Sequence, residues 1–266
     1  MLPDGGDDFH LVIIDWFMKE NKIYILTLII VSGLLLTRCS KKEDFPGGTL
    51  TDYMNLGVGK YVTYRLDSLV YTNFGQTQTT IKYQAKDVVD GTTTDNLGRP
   101  TWRILRYLND TAASGPWVQM LTYYVTPTRE TIEVIENNFR YQKLKLPITN
   151  GFSWKGNSYI DTYSINSNVR YLDDWDYTYD SANEPYTLYN KSIDSTVTVD
   201  QRDETLGTPN NPDAYSEHNY SQEVYAKGIG LVYKNFLHWV FQPRNSSYPN
   251  GYTDGYGITL RMIDHN

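Results

Sequence analysis

The chain has 266 residues, 40% of them hydrophobic and 21% charged. That is enough apolar content for one good core or two small ones, and too much for a disordered chain. A net charge of −7 excludes a nucleic-acid partner, because phosphate binding needs clustered Lys and Arg. The single cysteine, Cys39, excludes a disulfide framework within the chain.

In chain order, residues 1–17 come first and hold Asp4, Asp7, Asp8 and Asp15. Signal n-regions are basic, so Met18 reads as the start and residues 1–17 as a misassigned upstream extension. A genuine cytoplasmic segment is the alternative. Lys19 and Lys22 then precede an apolar run from Ile23 to Leu36. The run is shorter than the ~20 residues a transmembrane helix needs and suits a signal h-region. Leu36-Thr37-Arg38-Cys39 follows and resembles the lipobox of bacterial lipoproteins. Arg38 stands where that motif carries a small residue, and an uncleaved signal anchor is the alternative. The resemblance makes residues 18–38 a lipoprotein signal peptide and Cys39 the lipidated first residue of the mature chain. More than one acyl chain gives stable anchoring. Losing residues 1–38 removes three basic and five acidic residues and leaves a net charge of −5.

Ser40-Lys41-Lys42-Glu43-Asp44 resembles the charged export signal that follows the cysteine in surface lipoproteins of the Bacteroidetes. It implies an outer-membrane, cell-surface location. With Pro46, Gly47, Gly48 and Gly57, residues 39–58 read as a lipidated tether.

Residues 59–266 read as a β domain. Lys60–Tyr71 and Thr77–Val88 alternate bulky and polar side chains, the period of a strand. Similar runs occur at Thr101–Tyr107, Trp117–Thr126, Glu130–Ile135, Phe139–Leu146, Ser158–Ser164, Ser195–Gln201, Gln222–Tyr225, Gly230–Asn235, Leu237–Gln242 and Tyr256–Ile263. No window shows a helical face. The pattern predicts an all-β fold, an antiparallel curved sheet forming a sandwich or half-barrel, with about a dozen strands. Two long loops are expected, at residues 165–194 and 202–221, where binding functions commonly sit.

Three stretches, Gly59–Leu69, Lys143–Ile148 with Gly151–Gly156, and Glu223–Tyr233 (Glu-Val-Tyr-Ala-Lys-Gly-Ile-Gly-Leu-Val-Tyr), together resemble uncharacterised Bacteroidetes lipoproteins over roughly residues 50–266. The last is also similar to a piece of curved β half-barrels in envelope lipoproteins and lipoprotein carriers. Gly228 and Gly230 would permit a bulge or positive φ where such a sheet bends. The resemblance implies no catalytic residues and no cofactor.

Local chemistry is sparse. His218, His238 and His265 have no metal-pair spacing, and no Gly-x-Ser-x-Gly elbow occurs. Asp174, Asp176 and Asp180 present alternate oxygens toward one hard cation, though Tyr179 and Pro185 break the EF-hand pattern and a solvated acidic loop is the bland alternative. Trp175, Tyr177 and Tyr179 are candidate glycan-stacking residues, with a core role as the alternative. Ser68, Thr111, Ser181 and Ser195 each follow Asp in short sequences similar to the acceptor motif of Bacteroidetes O-glycosylation. The expectation is a membrane-tethered, non-catalytic binding or scaffolding protein with a glycan, lipid or envelope-protein partner. A surface polysaccharide hydrolase and a lipid or lipoprotein carrier of half-barrel type are the alternatives.

Overall fold

The computed structural model of the chain describes residues 49–209 and 211–266. Cys39, the signal segment and residues 39–48 of the expected tether lie outside the described residues. No described helix is long and apolar enough to cross a membrane.

Period-two alternation with β-branched and aromatic residues produces twelve antiparallel strands in a single sheet. A first meander runs through β1 (Tyr61–Thr72), β2 (Thr77–Thr94), β3 (Pro100–Asn109), β4 (Val118–Pro127), β5 (Thr131–Glu136) and β6 (Phe139–Lys145). A second runs through β7 (Ser153–Lys155), β8 (Asp176–Leu188), β9 (Lys191–Gly207), β10 (Ser216–Ala226), β11 (Gly230–Gln242) and β12 (Tyr252–His265). β12 pairs with β1, placing Leu260 opposite Leu66, so the two meanders form one sheet with β6 and β7 at its ends. The right-handed twist of strands up to 18 residues long brings those ends side by side. The Gln142 amide donates to the Gly156 carbonyl at 2.8 Å, and the sheet is nearly closed into a barrel.

One face of each strand fills the interior. Val62, Tyr64 and Leu66 are buried on β1 while Arg65 between them is exposed. Contacts between strands that are not neighbours in the sheet confirm a packed lumen. The Tyr64 hydroxyl on β1 donates to the Leu231 carbonyl on β11 at 3.0 Å, and the Lys143 ammonium on β6 meets Glu223 on β10 at 2.8 Å.

Several sequence expectations shift. Residues 49–58 are not merely a tether. A 3₁₀ turn at Leu50–Tyr53 buries both end residues in the core, and the Tyr53 hydroxyl donates to Asn183 at 2.7 Å. The folded domain therefore starts before residue 59. The Ser158–Ser164 run is not a strand, because the Asp161 carboxylate accepts the amides of Tyr163 and Ser164 and curls the chain into a turn. Most of the expected 165–194 loop is β8 and the start of β9. The expected 202–221 loop shrinks to the turn between β9 and β10. Gly230–Asn235 and Leu237–Gln242 are one strand, β11. The Gly228 and Gly230 expectation matches: they take φ of +74° and +101° in the turn from β10 to β11, beside a register shift at Val224/Tyr225.

Candidate functional site

The pairing of six acidic and basic side chains inside the barrel, Asp87, Arg106, Glu136, Lys143, Glu223 and Lys234, decides where a ligand can bind. Asp87 on β2 receives two hydrogen bonds from Arg106 on β3, at 2.7 and 2.6 Å, and one from the Tyr123 hydroxyl at 2.9 Å. That pair is complete. Glu223 receives Lys143 at 2.8 Å, Gln201 at 2.8 Å and the Tyr225 hydroxyl at 2.7 Å. Ser221 in turn donates to Gln201 at 2.7 Å. Burial alone would push the Glu223 carboxyl up, but Lys143 and Lys234 outweigh it and hold the group at about 2.

Glu136 and Lys234 remain. Lys234 lies 3.5 Å from the Glu223 oxygen that Lys143 already occupies. Among the described residues the Glu136 carboxylate has no hydrogen-bond or ion-pair partner. Burial raises its pKa, yet the charges of Lys234, Arg106 and Lys143 leave it below the ordinary range, so it stays ionised near neutral pH. Both residues line one cavity of about 100 Å³.

Aromatic side chains form the cavity wall. Phe236 on β11 stacks on Tyr256 of β12 at 5.2 Å and on Trp175 at 6.2 Å between ring centroids. Tyr171 stacks on His238 at 3.8 Å and touches the Tyr256 hydroxyl at 3.2 Å. Burial keeps the His238 imidazole below its usual range. Tyr141 and Tyr177 complete the wall.

Tyr171 and Trp175 come from the segment between β7 and β8, which caps this part of the barrel. Its anchors are polar and buried. Asn157 donates to the Leu172 carbonyl at 2.9 Å and accepts from the Tyr177 hydroxyl at 2.8 Å. Trp175 donates to the Tyr171 carbonyl at 2.7 Å, and Thr162 donates to Asp173 at 2.6 Å.

The sequence-predicted residues fall in separate places. Trp175, Tyr177 and Tyr179 are 2%, 1% and 0% exposed and make no external aromatic platform, because β8 alternation turns Tyr177 and Tyr179 inward. Trp175 and Tyr177 line the cavity, whereas Tyr179 packs against Phe152 and Trp154. Asp174 and Asp176 are exposed and both pair with Lys155; Asp180 lies further along β8. Among the described residues no three His, Cys, Asp or Glu side chains converge closely enough to hold a metal ion. Ser68, Ser181 and Ser195 lie half-buried on strands, and Thr111 is exposed in the turn between β3 and β4. Cys39 lies outside the described residues.

Sequence reasoning missed Glu136, Lys143, Glu223, Lys234, Tyr171 and Phe236. A signal existed for Lys234, which sits two residues before Phe236 and so on the same strand face. No family model, curated protein or solved structure matches the chain.

Proposed function

We propose that this protein is a lipid-anchored, outer-envelope binding protein without catalytic activity, and that the aromatic-walled cavity is its binding site. The observation that carries the binding role is a carboxylate, Glu136, on the wall of the cavity. Among the described residues Glu136 lines the cavity with no hydrogen-bond or ion-pair partner, beside a Lys234 whose ion pair is a 3.5 Å approach to the Glu223 oxygen that Lys143 holds at 2.8 Å. Glu136 is half-buried, and a carboxylate held on a cavity wall with no protein partner offers its oxygens to a ligand. The lipobox-like Leu36–Cys39 and the charged Lys41–Asp44 support the anchor and the surface location.

Two experiments test the two halves. Cells grown with labelled palmitate should label the wild type and not Cys39→Ala, and protease added to intact cells should remove the domain. Unlabelled wild type overturns the anchor, and full protection from protease overturns the surface location. For the site, a thermal-shift screen of sugars, amino acids and acyl lipids should find a ligand that raises Tm. At one hundred times Kd such a ligand adds about 2.7 kcal/mol. A screen in which every class leaves Tm unchanged overturns the binding role.

A further inference from the structure

We propose that a cleft on the outer face of the sheet binds a neutral glycan, with sugar rings laid on Tyr71 and Trp239. The cleft is separate from the interior cavity, and the inference goes beyond the binding role given to that cavity.

Strand alternation puts the cleft outside. On β11, Lys234 and Phe236 face the lumen, so Trp239 and Phe241 project from the opposite face. On β1, Tyr64 and Leu66 are buried inside, so Tyr71 projects outward too. β12 runs between these two strands. The residue it sets opposite Trp239 is Gly255, which carries no side chain and leaves a furrow between the Tyr71 and Trp239 rings. Gln78 lies opposite Tyr71 and Thr253 opposite Phe241, and both line the same cleft.

Three turns raise the walls, and they are tied to one another. The Thr253 amide donates to the Gly75 carbonyl at 3.0 Å, and the Gln76 side chain donates to the Gly251 carbonyl. These bonds join the β1–β2 turn to the β11–β12 loop. Arg244 of that loop donates to Asp213 at 2.8 Å and, through its amide, to the Pro212 carbonyl at 3.2 Å, which brings in the β9–β10 turn. The cleft is thus formed before a ligand arrives, and binding need not pay to order it.

The lining points to the ligand class. Every described residue on it is uncharged, in a chain that is 21% charged. An ionic ligand would shed hydration there without meeting a counter-charge. The polar groups are amides and hydroxyls, which donate and accept as sugar hydroxyls do. Among the described residues the side chains of Gln78, Asn250 and Thr253 and the Tyr71 hydroxyl have no hydrogen-bond partner. An acyl chain would leave those groups unpaired. The ring faces are open as well. No described ring packs on Tyr71, and Trp239 meets only the His218 imidazole, tilted at 5.9 Å between centroids. Such faces suit the C–H face of a pyranose. The volume of about 470 Å³ is several times the ~150 Å³ that encloses a benzene, so more than one sugar ring fits.

The test is titration calorimetry on the full chain, in a zwitterionic detergent without a sugar headgroup. The probes are neutral oligosaccharides of glucose, mannose, galactose and N-acetylglucosamine, with galacturonan and chitosan oligomers, a polyproline peptide and palmitate for comparison. At least one neutral oligosaccharide should bind, with an affinity little changed by added salt. Trp239→Ala should weaken it about tenfold and Gln78→Ala about threefold, while Glu136→Gln in the interior cavity leaves it unchanged. Gln78 is exposed, so its variant reads the cleft with Tm unmoved even if Trp239→Ala lowers Tm. Preference for a charged oligomer, the peptide or palmitate overturns the neutral glycan. Neutral-oligosaccharide binding that survives Trp239→Ala and Gln78→Ala overturns the placement, and its loss in Glu136→Gln alone moves the sugar to the interior cavity. Binding by none of the probes overturns this inference, and the thermal-shift screen then decides the interior cavity separately.

Discussion

Replacing Glu223 with Ala lowers the stability of the barrel by about 3–5 kcal/mol, the usual cost of removing one member of a buried ion pair. The carboxylate is 1% exposed and accepts hydrogen bonds from Lys143, Gln201 and Tyr225. Its loss leaves the Lys143 ammonium, itself buried on β6, facing an emptied lumen. Denaturant unfolding measures the effect directly, and a loss below about 1 kcal/mol would show that water or another group takes over the pairing. Substituting both partners, Glu223→Leu with Lys143→Met, should recover much of the loss, since an apolar pair of similar volume is often neutral or better.

The same group predicts a pH dependence. Glu223 sits at about 2 in the folded barrel, against ~4.3 for an unfolded glutamate. A depressed folded-state pKa stabilises above the unfolded value and loses that stabilisation as pH falls through the folded one. The contribution of this carboxylate, on the order of 3 kcal/mol, is therefore present at pH 5 and above and drains away between about pH 5 and pH 2. Comparing urea midpoints of the wild type and Glu223→Gln across that window isolates it. The variant should start lower at pH 7 and fall less steeply, and parallel slopes would contradict the assignment.

The architecture was legible because antiparallel strands write their period into the sequence, and the residues that defeated the reading show where that signal fails. The run at Ser158–Ser164 has strand-like alternation, but Asp161 offers the backbone a local partner stronger than a ladder. β8 was hidden for the opposite reason. Its sequence, with Asp180, Asn183 and Pro185, has turn composition, yet register shifts at three places along its pairing with β9 accommodate those residues. The cavity was less legible than the fold. Trp175 and Tyr177 were visible as aromatics, but their partners come from β5, β6, β11 and β12. Convergence across a lumen depends on where the sheet closes, and no local spacing records that. Leu50 and Tyr53 were read as tether because their neighbours are glycine and proline; Leu50 is held by the hydrophobic core and the Tyr53 hydroxyl by Asn183, 130 residues away.

Closure itself supplies the second large effect. A nearly closed sheet must hold its two ends together, since open strand edges invite pairing with other chains. Here β7 has only three residues, and side chains do most of the joining. The Trp154 indole donates to the Gln142 carbonyl of β6 at 2.7 Å. The Tyr179 hydroxyl accepts from the Lys145 amide at 2.9 Å and donates to the Lys145 carbonyl at 2.8 Å. Trp154 is 5% exposed and packs against Tyr179 at 4.8 Å, Tyr177 at 5.8 Å and Phe152 at 6.0 Å between centroids. Gly156 completes the joint, because a Cβ there would stand 2.4 Å from the Tyr177 ring, so the backbone that accepts from Gln142 cannot carry a side chain. Trp154→Ala should therefore cost about 3–5 kcal/mol, and Trp154→Phe, which keeps most of the packing and loses the hydrogen bond, about 1–2 kcal/mol. Hydrogen exchange locates the damage: in Trp154→Ala the Gln142 amide should exchange through local opening while amides in the β1–β2 ladder still follow global unfolding. Equal protection at both places, or a loss under about 1 kcal/mol, would mean that the seam is held elsewhere. Tyr177 faces the seam through Trp154 and the cavity through its own ring, so opening one loosens the wall of the other. Ligand affinity in Trp154→Ala should fall with closure even though Trp154 is not among the residues lining the cavity.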